Sequence, residues 1–121
     1  MRSNRGFILL DHGSRRAEAN AVVEAVAGEI QNRRPDLSVA WAHLEICPPD
    51  LRSVVANMAE DGKREIIVHP FMLAPGKHAA RDIPGLVATL ESEYPQISFR
   101  VTAPIGAHPD LATIVLDRAK V

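Results

Sequence analysis

The chain predicts a doubly wound α/β domain, with four parallel strands carrying helices on both faces. Three observations predict it. Short apolar runs alternate with amphipathic stretches over all 121 residues. Proline, glycine and aspartate punctuate nearly every junction. The first apolar run is unbroken rather than alternating, as in a strand covered on both faces.

The first strand is expected over residues 6–11, Gly-Phe-Ile-Leu-Leu-Asp. A helix over 17–33 follows, because Ala21, Val22, Ala25, Val26 and Ile30 recur at helical spacing. Pro35 and Asp36 make the turn that ends it. Residues 37–44 are small and apolar and read as the second strand. Pro48 and Pro49 suit the opening of a helix over 50–60, which Gly62 closes. The third strand, 65–71, has Ile66, Ile67 and Val68 at its centre. Asp82 and Pro84 fit the first turn of a third helix that reaches Glu93, and Tyr94 and Pro95 stop it. A fourth strand over 97–102 and a last helix over 109–120 complete the pattern. No linker or repeat interrupts it, so one domain over 1–121 is expected. The commonest small doubly wound order puts the first strand between the second and the third.

Composition narrows the function. Apolar residues at 46% suffice for one core. A formal net charge of −1 and aromatics at 4% argue against a nucleic-acid surface. No apolar run is long enough for a bilayer span, and the N-terminus carries no signal-peptide pattern. Cys47 is the only cysteine, so no intrachain disulfide forms and a reducing cytoplasm is the expected location.

Two histidines stand out. His12, in Asp11-His12-Gly13-Ser14-Arg15, and His78, in Pro75-Gly76-Lys77-His78, each lie past a strand in the loop entering the next helix. That is the sheet edge where α/β proteins bind ligands. Glu45 takes the matching place after the second strand, spaced evenly between them. In the expected strand order all three share one cleft, and two imidazoles with a carboxylate suit a divalent transition metal. Gly13 and Ser14 strengthen the reading of His12, supplying a residue without a side chain and then a hydroxyl for the helix start or a ligand.

Plainer roles apply to the other candidates. Glu45 also suits a helix cap, and His43 a satisfied core histidine. His69 serves packing or hydrogen bonding at a strand end, and His108 a structural turn. Cys47 has no base placed for it by spacing and reads as a small buried hydrophobe. The pairs Arg15-Arg16 and Arg33-Arg34 are solvated helix ends. Arg15, Lys77 and Arg81 nonetheless lie near the two histidines, where helix N-termini favour anionic groups.

At these residues the chain resembles the small sirohydrochlorin chelatases, class II enzymes that insert cobalt, iron or, in one branch, nickel into a reduced tetrapyrrole. The resemblance is carried by Asp-His-Gly-Ser-Arg-Arg at 11–16 with Asn20, His-Leu-Glu at 43–45, the run from His69 to His78 with Asp82-Ile83-Pro84, and Pro-Ile-Gly-Ala-His at 104–108. It covers nearly the whole chain. It implies a flavodoxin-like half-domain that pairs as a homodimer, with no cofactor beyond the substrate Co²⁺ or Fe²⁺ (Ni²⁺ in the third branch). It further implies that His12 and His78 bind the metal, that His12 accepts a proton, and that Glu45 stands beside the metal. Residues 73–77 (Leu73, Ala74, Pro75, Gly76 and Lys77) would line the tetrapyrrole pocket, with Ser14, Arg15 and Arg81 nearby. Many relatives carry a second acidic residue where this chain has Pro48.

Such chemistry needs groups that hold a cation loosely and take protons near neutral pH, which imidazole does. Two rivals belong to other classes. A receiver-like signalling domain needs an acidic residue at the end of its third strand, where this chain has His69-Pro70. A non-catalytic metal or tetrapyrrole carrier would keep the same histidines and bind without metallating.

Overall fold

Strand and helix alternate strictly in a computed structural model that describes residues 4–121. The strands are β1 (Arg5–Asp11), β2 (Ser38–His43), β3 (Glu65–Pro70) and β4 (Ser98–Val101). The helices are α1 (Ala17–Arg33), α2 (Leu51–Glu60), α3 (Lys77–Glu93) and α4 (Asp110–Ala119). The sheet order is β2-β1-β3-β4 and every pairing is parallel. The expected order therefore holds, with β1 between β2 and β3.

Side-chain alternation along β1 divides the core. Ile8 and Leu10 enter the larger cluster, with Leu51, Val55 and Met58 of α2 and Ala79, Ile83, Val87 and Leu90 of α3. Leu9 points the other way, to Val23 and Ala27 of α1. Residues 8–10 are all buried, as an unbroken apolar run requires. Helices thus cover both faces, and the free C-terminal strand ends emerge between them.

Two helix starts differ from the sequence reading. That of α2 differs by one residue only: Pro48 and Pro49 precede it, and Asp50 is the cap, its Oδ1 accepting from the Ser53 amide at 2.9 Å. The third helix starts at Lys77, well before Asp82, so His78 is its second residue and not a loop residue. Proline is best tolerated in a first turn, which is where the sequence predicts Pro84. It lies inside α3 instead, exposed to solvent. A helical interior proline costs about 3 kcal/mol or more. Burial of Ile83, Val87 and Leu90 at roughly 1.5–3 kcal/mol each outweighs it.

The last helix is unlike the others, for α4 buries none of its side chains and leaves Ile114, Val115 and Leu116 more than half exposed.

The Asp50 cap gives a direct test. Asp50→Ala should lower the unfolding free energy in urea by about 1 kcal/mol, and Asp50→Asn by less, because it keeps the acceptor and loses only the charge. Hydrogen bonding from the Ser53 amide holds the Asp50 carboxyl below its ordinary value of 3.8. The charge-dependent part of the cap is therefore full above that value and is lost as pH falls below it, through the lowered one.

Candidate metal and substrate site

Beyond the ends of β1 and β2 the parallel ladder continues. The Leu44 amide donates to the Asp11 carbonyl at 2.8 Å, and the Glu45 amide to the His12 carbonyl at 3.1 Å. Gly13 makes this approach feasible. Its φ is +94°, and a Cβ there would lie 2.0 Å from the Glu45 carbonyl oxygen. Only a residue without a side chain fits.

Through that backbone contact the two side chains meet. His12 Nε2 stands 2.8 Å from Glu45 Oε1, with both side chains more than half exposed. Beneath them His43 is 2% exposed, and its Nδ1 lies 2.6 Å from Asp11 Oδ1. His43 is thus the satisfied core histidine expected of it. Its bond to Asp11 ties the strand ends together under the site.

The loop after His12 is clamped from α1. Asn20 Oδ1 accepts from the Ser14 amide at 2.9 Å, and Asn20 Nδ2 donates to the Ser14 carbonyl at 2.8 Å. Ser14 Oγ accepts from the Arg16 amide at 3.0 Å, so this hydroxyl shapes the turn rather than capping α1 at its cap position, Arg16. Sequence reasoning named Asn20 only as part of the resemblance, and it did not reach the Asp11–His43 bond. That bond follows from register, which pairs Asp11 with His43 across the two strands.

The segment after β3 forms the other wall. Phe71 donates its amide to Leu10, Ile105 to Met72 and Gly106 to Leu73, all backbone bonds of 2.8–3.0 Å. Leu73, Ala74, Gly76, Lys77 and His78 are exposed and Pro75 half-buried. Neither α1 nor α3 has a side-chain cap, so first-turn amides at both helix starts keep unmet donors. Among the described residues Arg15 and Lys77 make no ion pair, whereas Arg81 pairs with the adjacent Asp82.

The expected trio is gathered in part. His12 and Glu45 touch; His78 has no hydrogen bond or ion pair among the described residues. Among those residues no three His, Cys, Asp or Glu side chains form a metal-sized cluster. The remaining histidines are structural. His69 Nδ1 lies 2.8 Å from Thr102 Oγ1 and its ring stacks on Phe7, while burial pushes its pKa down and favours the neutral form. His108 Nδ1 accepts from the Asp110 amide at the start of α4. Cys47 is a free thiol, partly buried. A separate cavity of about 620 Å³ runs along the free edge of β2 past Trp41 and Met58 and holds none of the three candidate ligands.

The CbiX family model matches residues 6–121. A chloroplastic sirohydrochlorin ferrochelatase of Arabidopsis thaliana is 36% identical over 93% of this chain, and this chain spans 50% of that protein. A sirohydrochlorin cobaltochelatase of Methanopyrus kandleri is 31% identical over 93% of each. Among solved structures, the sirohydrochlorin chelatase SirB of Bacillus subtilis subspecies spizizenii, in complex with cobalt, superposes with a TM-score of 0.87 at 26% identity. The match covers 99% of this chain and 50% of SirB.

Gly13→Ala tests the backbone contact. It forces both an unfavourable φ and a clash with Glu45, and should lower the unfolding free energy by about 2–4 kcal/mol in urea. Asn20→Ala removes two hydrogen bonds and should cost about 1–3 kcal/mol.

Proposed function

We propose that this chain, which belongs to the CbiX family, is a sirohydrochlorin chelatase that inserts Co²⁺ or Fe²⁺ into its tetrapyrrole substrate. The observation that carries the reading is the exposed His12–Glu45 pair, held at 2.8 Å beyond the ends of the two strands that carry it. Of the three related proteins, one carries a ferrochelatase name, one a cobaltochelatase name, and one holds cobalt.

Insertion must strip ligands from a hydrated cation and remove two protons from the pyrrole nitrogens. In this reading His12 binds the incoming metal and accepts a pyrrole proton, since neutral imidazole does both near pH 7. Glu45 stabilises the imidazolium that results, and stands beside the metal. His78, at the first turn of α3, is the second metal-binding imidazole. Few protein ligands leave coordination positions open, so the cation can pass to the ring instead of being caged.

The substrate's carboxylates suit the opposite charge of the rim. The unpaired Arg15 and Lys77, with Arg81, lie beside the two uncapped helix starts, where anions are favoured. Ser14 orders the turn before α1, and Leu73, Ala74, Pro75 and Gly76 form the wall on the β3 side. Pro48 can offer no charge or donor to the substrate from the position where many relatives are acidic. The same reading makes the protein a homodimer in the cytoplasm. The exposed apolar residues of α4 support pairing. No helix among the described residues is long and apolar enough to cross a membrane.

Purified protein with sirohydrochlorin and each of Co²⁺, Fe²⁺ and Ni²⁺, followed by absorbance, tests the reading and ranks the metals. His12→Ala and His78→Ala should each abolish metal insertion, about a hundredfold or more in rate, with circular dichroism unchanged. Full activity in both variants would refute the assignment, and tight tetrapyrrole binding without metallation would make the protein a carrier.

A further inference from the structure

Ile46 has a backbone conformation that ill suits its side chain. Its φ is +79°, in a region that β-branched residues almost never occupy. The Cys47 amide donates to the Glu45 carbonyl at 3.0 Å across it, closing a three-residue turn of the rare, strained kind. The fold requires that turn, because the Glu45 carbonyl abuts Gly13 and the Glu45 side chain must reach His12. It does not require isoleucine. Glycine or asparagine would take the same φ with less strain. The side chain returns only part of its burial energy, being 57% exposed.

An apolar side chain kept in solvent, in a strained backbone, next to the pair at the centre of the site calls for an occupant that covers it. The sheet order supplies the setting. With β1 between β2 and β3, the segment bearing Ile46 flanks His12 on one side and the segment bearing Leu73 flanks it on the other. Leu73 is 62% exposed, so apolar side chains stand on both flanks of a charged and polar centre. A flat macrocycle with an apolar face and a carboxylate rim matches that distribution.

We infer that Ile46 is a substrate-binding residue whose side chain packs on the macrocycle face and holds the ring over His12 and Glu45. This rests on the chelatase reading and adds the residue that selects a macrocycle at that site. The strain is retained because the bound ring covers the side chain.

The test uses the full chain and metal-free sirohydrochlorin, with binding read from the change in its absorbance, beside a cobalt titration without tetrapyrrole. Ile46→Asn keeps a residue that tolerates positive φ and removes the apolar contact. It should raise the tetrapyrrole Kd about 10- to 100-fold. Its Tm should rise by about 3–6 °C as strain is relieved, and cobalt binding should be unchanged. Ile46→Leu keeps the contact and should bind the tetrapyrrole like the parent. A merely structural residue would not lose ligand while gaining stability. If the parent binds the tetrapyrrole and Ile46→Asn binds it equally, the assignment of Ile46 falls while the chelatase reading stands. If Ile46→Asn loses affinity together with stability, the assignment also falls. If the parent binds no tetrapyrrole, the chelatase reading fails first and this inference with it.

Discussion

The contact between the Gly13 backbone and the Glu45 carbonyl sets the geometry of the site. An exposed polar contact such as His12–Glu45 is worth about 0–1 kcal/mol and cannot position itself. Its partners meet because the β1–β2 ladder runs two hydrogen bonds past the strands, through Leu44 to Asp11 and Glu45 to His12. That extension exists only where no Cβ intervenes. The buried Asp11–His43 bond fixes the same strand ends from below, in surroundings that strengthen a hydrogen bond. Position therefore comes from backbone and core, and the exposed pair contributes little to it.

Openness follows from that division of labour. The pair stands exposed at the mouth of the sheet, with a second histidine, His78, exposed at the start of α3. Uncapped starts of α1 and α3 keep amide donors for an anionic rim. By contrast, α2 begins at the same edge and is capped by Asp50, and its preceding loop is closed by the His43 amide on the Pro49 carbonyl. Among the described residues the starts of α1 and α3 have no side-chain cap, and neither does the cap position of α4.

Most of the fold was legible because its signals are local. Unbroken apolar runs gave the strands, helical spacing gave α1 to the residue, and the switch-point order followed from commonness alone. His12 and Glu45 were also legible, since each stands just past a strand. What was missed depends on non-local terms. The start of α3 was placed too late because a proline rule was applied where the burial of Ile83, Val87 and Leu90 wins. The Asp11–His43 bond needs a register that sequence does not state, and the Asn20 clamp needs the turn geometry of residues 14–16. The backbone of Ile46 had no signal at all, because nothing about isoleucine announces a positive φ.

Local rules are obeyed in the core: its large apolar side chains are buried, and no buried side-chain polar atom among the described residues lacks a partner. At the rim around His12 stand a glycine at φ +94°, an isoleucine at φ +79°, two helix starts without a side-chain cap and an exposed Leu73. Exceptions also lie elsewhere, with Lys120 at φ +62° and Ile114, Val115 and Leu116 of α4 exposed. Those at the rim differ in their neighbours, because a ligand that met the amides and covered the apolar groups there would recover their cost in the bound state.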